Sequence, residues 1–146
     1  MPDFAAIRIV IFQVADLVCA LPVEQVREII PSQAATRIPG APEAVNGLVN
    51  VRGSLITVIS GHQLLSRSDS PVGADACVLV IVLGGHVVGL EVDAVLDLAD
   101  VPTSELEPRE VLPGLDPRIA KSAGRHAERA FVLLDTEALL TPLIGG

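Results

Sequence analysis

VNGLVNVRGSLITVISGHQLL, Val45 to Leu65, is the stretch whose reading decides the fold. Two β-rich apolar runs flank a tight turn at Arg52-Gly53-Ser54, which reads as a β-hairpin. Side chains alternate along a strand, so Val49 and Val51 share one face while Leu48, Asn50 and Arg52 share the other. An amide and a guanidinium therefore project together beside a glycine turn. Such a face is either a solvated hairpin end or a recognition surface. Ser60-Gly61-His62-Gln63 fits a capping box, with Ser60 bonding the new turn and Gln63 reaching back, and Leu64 and Leu65 anchor the short helix that follows.

On the N-terminal side, Ile7 to Val14 is an apolar strand, Ala15-Asp16 a turn and Leu17 to Leu21 the returning strand. Pro22 opens a short helix in which Val23, Val26 and Ile30 lie at helical spacing, with Glu24, Arg27 and Glu28 outside them, and Pro31 ends it. Ser32 to Pro42 reads as a loop. On the C-terminal side, the polar segment Ser66 to Asp75 is the best linker candidate. Cys77 to Leu83 is a strand, Gly84-Gly85 a turn, His86 to Leu90 the returning strand, and Glu91 to Leu98 is helix-like at its start.

The order of elements repeats. Val18, Leu21, Val23 and Val26 match Val87, Leu90, Val92 and Val95 at one constant offset. Leu112-Pro113-Gly114 echoes Ile38-Pro39-Gly40, and Ala130 to Leu134 with Asp135 and Leu139-Leu140 echoes Leu55 to Ile59 with Ser60 and Leu64-Leu65. Asp135 takes the helix N-cap position that Ser60 has in the first half. The halves differ most at Asp100 to Glu128. There Ser104-Glu105-Leu106-Glu107 has the form of a capping box, and a polar run from Lys121 to Arg129 stands in place of the Arg52-Gly53 hairpin. Short strands with Gly and Pro turns suggest small β-barrels. The expectation is one domain over residues 1–146, mainly β, with short helices. Two half-size barrels, near residues 1–66 and 76–146, pack on a common aliphatic core, with the linker near 66–75 between them.

Composition narrows the function. Half of the 146 residues are apolar, Phe occurs three times, and Trp and Tyr are absent, so the core is aliphatic. A formal charge of −8 opposes binding to nucleic acid or to an anionic membrane surface, both of which depend on Lys and Arg. Met1-Pro2-Asp3 lacks the basic start of a secretory signal, and the apolar run Ala76 to Leu83 is too short to span a bilayer. The expected location is the cytoplasm, with no membrane insertion. Cys19 and Cys77 each sit in a strand-like apolar run and read as buried free thiols.

No residue constellation carries a reaction. His62, His86 and His126 have no metal-ligand spacing, and CxxC, HExxH and GxSxG are absent. Gly84-Gly85 is followed by a strand rather than a helix start, so it is a turn and not a phosphate loop. Ser60 with His62 lacks an orienting acid and is read as capping. Asp93 and Asp97 read as the solvated flank of a helical turn. Glu105, Glu107 and Glu110 read as surface loop, without the Asp or Asn ligands of a calcium site. Arg52 remains, with a planar fork of donors suited to recognition.

The same residues resemble a known family. Gly47-Leu48-Val49-Asn50-Val51-Arg52-Gly53 is similar to the core motif of the CheW-like domain, the coupling module of bacterial chemotaxis. Phe12 to Ile29 resembles the family's first hairpin and helix, Thr36 to Pro42 the segment before the motif, Val87 to Asp93 its "Val-Gly-hydrophobic-x-Val-Asp" segment, and Val132 to Leu140 its closing strand and helix. The resemblance implies two five-stranded SH3-like barrels around a shared core, no catalytic activity and no cofactor or metal. It implies a non-enzymatic scaffold joining the cytoplasmic tip of a chemoreceptor to the regulatory domain of a CheA-type histidine kinase, at membrane-associated receptor arrays. By motif, the receptor-binding candidates are Val26, Gly47, Asn50 and Arg52, although Gly47 and Gly53 also suit a purely conformational role. The chain departs from the family after the hairpin. Thr57-Val58-Ile59-Ser60-Gly61-His62 stands where the family tends to have "Pro-hydrophobic-hydrophobic-Asp-hydrophobic-Arg". The competing reading is a regulatory module that binds a small molecule in the cleft between the barrels.

Overall fold

Continuous apolar runs such as Ile9–Phe12 and Val78–Ile81 need cover on both faces, and the fold supplies it in both places. The computed structural model describes residues 5–65, 73–108 and 118–144. Strands β1 (Ala6–Val14) and β2 (Leu17–Pro22) form the first hairpin. A single 3-10 turn, Val23–Gln25, leads into β3 (Val26–Pro31). The motif hairpin follows as β4 (Val45–Val51) and β5 (Ser54–Ser60), then α1 (Gly61–Leu64). Next come β6 (Cys77–Leu83), β7 (His86–Val92) and β8 (Ala94–Pro102). A 3-10 turn, Thr103–Glu105, precedes β9 (Glu107–Pro108), and β10 (Ala120–His126), β11 (Arg129–Leu134) and α2 (Thr136–Ile144) complete the order.

These strands form two sheets, in the orders β8-β1-β2-β11-β10-β9 and β3-β6-β7-β5-β4. The first has six strands rather than the expected five, the extra one being the two-residue β9. Each sheet is antiparallel except for one parallel pair, β2 with β11 and β5 with β7.

Three clusters account for the core. Val10, Phe12, Val14, Cys19 and Leu21 from one sheet meet Ile59, Leu79, Ile81, Val88 and Leu90 from the other, sealed by Leu139 and Leu140 of α2. This is the shared aliphatic core. Behind it, Ile9, Ile11, Ala20, Val101, Phe131 and Leu133 fill the first sheet, and Val49, Ile56, Val58, Val78 and Val80 fill the second. Alternate residues of β1 and β6 thus serve different clusters, which is why neither strand alternates with polar residues. Neither cysteine forms a disulfide and both are buried, and burial pushes the Cys77 thiol up.

The sheets divide the chain differently from the halves 1–66 and 76–146. One sheet is continuous, from β3 through β7, and the other joins the first hairpin to β8–β11. The chain crosses between them at Val23–Gln25 and again at Asp93. Segment 66–75 connects β5 to β6 within a single sheet, and its residues 66–72 lie outside the described residues. The crossings between sheets therefore fall elsewhere than at this polar segment.

Two helical expectations fail for one reason. After one 3-10 turn, Val26–Pro31 is extended and pairs with β6, and Ala94–Pro102 is extended and pairs with β1. Residues in β3 alternate half-buried and exposed, the period of a strand, and β-branched residues favour that state once a neighbour offers an edge. Asp93 and Asp97 therefore share no helix face. The Ser104 capping box does not form either, since the 3-10 turn starts from Pro102 with no side-chain cap. The other two caps do form. Ser60 Oγ accepts the Gln63 amide at 3.3 Å, and Asp135 Oδ1 accepts the Ala138 amide at 3.1 Å. In the second half a hairpin forms without glycine, with Ala127 and Glu128 both at positive φ. Leu112-Pro113-Gly114 lies outside the described residues.

Candidate functional site

Arg52 and Gly53 have φ of 51° and 86°, the paired left-handed geometry of a two-residue hairpin turn. Glycine adopts it freely and arginine does not. Asn50 supports the turn by accepting the Gly53 amide on Oδ1 at 2.8 Å. Replacing Asn50 with alanine should cost about 0.5–1 kcal/mol, with aspartate restoring most of it. Urea unfolding measures this, and an unchanged midpoint would mean that water serves the Gly53 amide equally well.

The turn aims Arg52 back across the mouth of its sheet. Arg52 Nη1 and Nη2 each lie 2.8 Å from a different carboxylate oxygen of Glu28. The fork is thus bidentate. It joins β3 to the β4–β5 turn, which belong to opposite edges of one sheet, and so helps to close that sheet into a barrel. Glu28 is mostly covered, with 19% of its side chain exposed, whereas Arg52 is 77% exposed. The carboxylate therefore fixes the direction of a guanidinium that still faces solvent. Leu55 is 67% exposed beside it, and Arg27, Glu28, Val51, Arg52, Leu55 and Val87 are among the residues lining a cavity of about 350 Å³ at this end of the sheet.

The six-stranded sheet has a weaker version of this closure. Asp97, the counterpart of Glu28 on β8, lies 3.4 Å from His126 at the end of β10, and both are partly exposed. Ile29 and Leu98, the residues that follow these carboxylates, are both exposed.

The other residues singled out by motif have clear roles in folding. Gly47 sits at a register shift in the β4–β5 pair, with φ of 140°. A Cβ there would lie 2.2 Å from the Thr36 carbonyl oxygen, so the position has no room for a side chain. Val26 opens β3, is half-buried and packs against the shared core. All four candidates belong to one sheet, and among them only Arg52 presents a strongly exposed charged group. Glu28 escapes the sequence reading because a helix at that point separates it from the hairpin. The spacing carries no signal for it, since Val26, Ile29 and Ile30 lie at helical intervals and Val26-Arg27-Glu28-Ile29-Ile30 does not alternate.

Asp93 is likewise more than a solvated flank. Its Oδ2 lies 2.7 Å from Nε2 of His62, whose side chain is 7% exposed, and it also accepts the Ala15 amide at 2.6 Å. Among the described residues no group of three or more His, Cys, Asp or Glu could hold a metal ion, and no helix is long and apolar enough to cross a membrane.

Comparison with known proteins accords with this architecture. A family model described as the CheW-like domain matches residues 8–143. Protein FrzA of Myxococcus xanthus is 30% identical over 97 residues, 66% of this chain and 61% of that protein. The probable chemotaxis protein CheW of Rhizobium etli is 28% identical, with 92% of this chain and 87% of that protein covered. The crystal structure of the scaffolding protein TtCheW from Thermoanaerobacter tengcongensis shares the fold, with a TM-score of 0.83, 23% identity and 90% of each chain covered. The chain therefore belongs to the CheW-like domain family.

Proposed function

We propose that this chain is a non-enzymatic adaptor that couples the cytoplasmic tip of a chemoreceptor to the regulatory domain of a CheA-type histidine kinase. It acts in the cytoplasm, at receptor arrays, and Arg52 is its receptor-side contact. The observation that carries this reading is the construction around Arg52 in a chain of this family. An arginine occupies a backbone conformation that costs energy, and a mostly covered carboxylate holds its fork while most of the side chain faces solvent. A guanidinium fork held in one direction and left open to solvent suits contact with a partner. Relatives named as chemotaxis protein CheW and as scaffolding protein support the same role.

The test is capture of the purified chain by its own kinase regulatory domain and, separately, by a fragment of the receptor tip. Micromolar or tighter binding to both is expected, and binding to neither overturns the reading. Small-molecule regulation has less behind it, since the cavity beside Arg52 is lined by residues of one sheet and its hairpin turn.

A further inference from the structure

The chain passes between its sheets at Val23–Gln25 and at Asp93, and each crossing is tied to the helix on the far side. At the first, Thr136 of α2 donates its hydroxyl to Gln25 Oε1. At the second, His62 of α1 meets Asp93, and Asp93 also bonds the β1–β2 turn. The two ties occupy comparable places in the repeat, but the first joins neutral groups and the second joins ionisable ones.

The geometry points to a proton-operated latch: His62 and Asp93 bind the second crossing in a manner that depends on the charge of the imidazole. Three observations carry it. Asp93 Oδ2 accepts the Ala15 amide at 2.6 Å, so that oxygen holds no proton, and the proton between it and His62 resides on Nε2. The imidazole is buried, so its attraction to the carboxylate is poorly screened. The carboxylate sits at a junction that backbone and side-chain bonds already tie together. The Asp93 amide donates to the Gln13 carbonyl at 2.9 Å, Gln13 Nε2 donates to the Ala15 carbonyl at 2.7 Å, and Ala15 has a left-handed φ of 52°.

The other charged groups on the described elements around α1 are few. Glu91 on β7 is engaged by Ser32 Oγ and Asn46 Nδ2, and Asp16 lies exposed in the β1–β2 turn. No described basic side chain on these elements competes for the Asp93 carboxylate. The imidazolium form makes a charge-assisted bond and the neutral ring a weaker one. The latch is thus strongest on the acid side of the His62 titration and loosens as pH rises through it. His62 stands where the resembled pattern has arginine, a permanent charge, so the proton dependence belongs to this chain's own sequence.

The experiment begins with the unmodified protein. The His62 ring signals and the Ala15 and Asp93 amide signals are followed by NMR from about pH 5 to about pH 8.5, the range in which histidine changes charge. The three should move with one common midpoint. Amides that stay still while the ring titrates overturn the latch. Thermal unfolding of variants gives an independent arm. The unmodified protein should melt about 5 °C lower at the alkaline end, on the size of a charged hydrogen bond in a domain of this length. Asp93→Asn should melt lower at the acid end and lose that pH dependence. Thr136→Val should lower the midpoint equally at both ends and keep it. If Asp93→Asn retains the full dependence, the titration belongs elsewhere and the latch is overturned. This inference does not rest on partner binding, and its failure leaves the adaptor reading untouched.

Discussion

Gly47→Ala should destabilise the protein by about 4 kcal/mol, enough to leave much of it unfolded at 37 °C. The new methyl group would collide with backbone alone. The added Cβ falls 2.2 Å from the oxygen and 2.6 Å from the carbon of the Thr36 carbonyl, and 3.1 Å from the Arg37 Cα. No rotamer change relieves such contacts, because none of those atoms belongs to a side chain. Relief requires withdrawing residues 36–37 from β4, which breaks the two 2.8 Å bonds exchanged between Thr36 and Leu48. The φ of 140° adds its own strain for any residue but glycine. Gly53→Ala is the matched control. Its φ is also positive, but nothing lies within 4 Å of its Cβ, so it should cost only about 1 kcal/mol. Chemical denaturation of both variants decides the matter. Equal midpoints would mean that the close approach of Thr36 does not constrain the fold.

Arg52→Asp should weaken binding to the receptor tip by about a hundredfold, the size expected for an arginine at the centre of a contact. Its effect on stability should stay at about 1 kcal/mol. Three considerations keep that cost small. The Arg52–Glu28 pair is solvated on the arginine side, with 77% of that side chain exposed, and such pairs contribute little to folding. Aspartate tolerates the left-handed turn better than most residues. The new repulsion from Glu28 is also partly screened by water. Arg52→Lys should fall between the two, since it keeps the charge and loses the fork. Titration calorimetry together with thermal melting separates the outcomes. A fall in melting temperature as large as that of Gly47→Ala would make Arg52 a structural residue and remove the proposed contact.

Much of this site was legible in the sequence, and its hidden parts have a common cause. The Asn-x-Arg-Gly turn, the Ser60 and Asp135 caps and the paired apolar strands depend on residues close together in the chain. Their spacing therefore announces them. Glu28 depends on a partner twenty-four residues away and His62 on one thirty-one away. Nothing in the spacing of either pair distinguishes them from solvated surface charges. Reading Val26–Ile30 as helix compounds the loss. Apolar residues there lie at helical spacing, and the extended state is chosen only once β6 supplies an edge.

The division of the chain follows the same physics. By itself the sequence determined a mainly β protein with a repeated set of elements, an aliphatic core, a hairpin ending in Arg52 and two capped helices. Each of these follows from period, turn chemistry or composition over short distances. Only the tertiary structure decided which copy of each strand pairs with which. β1 and β6 are both apolar on both faces, so either could be buried equally well from a local standpoint. The choice rests on which set of faces can be covered together, and that is a property of the whole chain. It placed the boundaries at Val23–Gln25 and Asp93 rather than at the polar segment, brought Glu28 to Arg52, and buried His62 against the carboxylate of the second crossing.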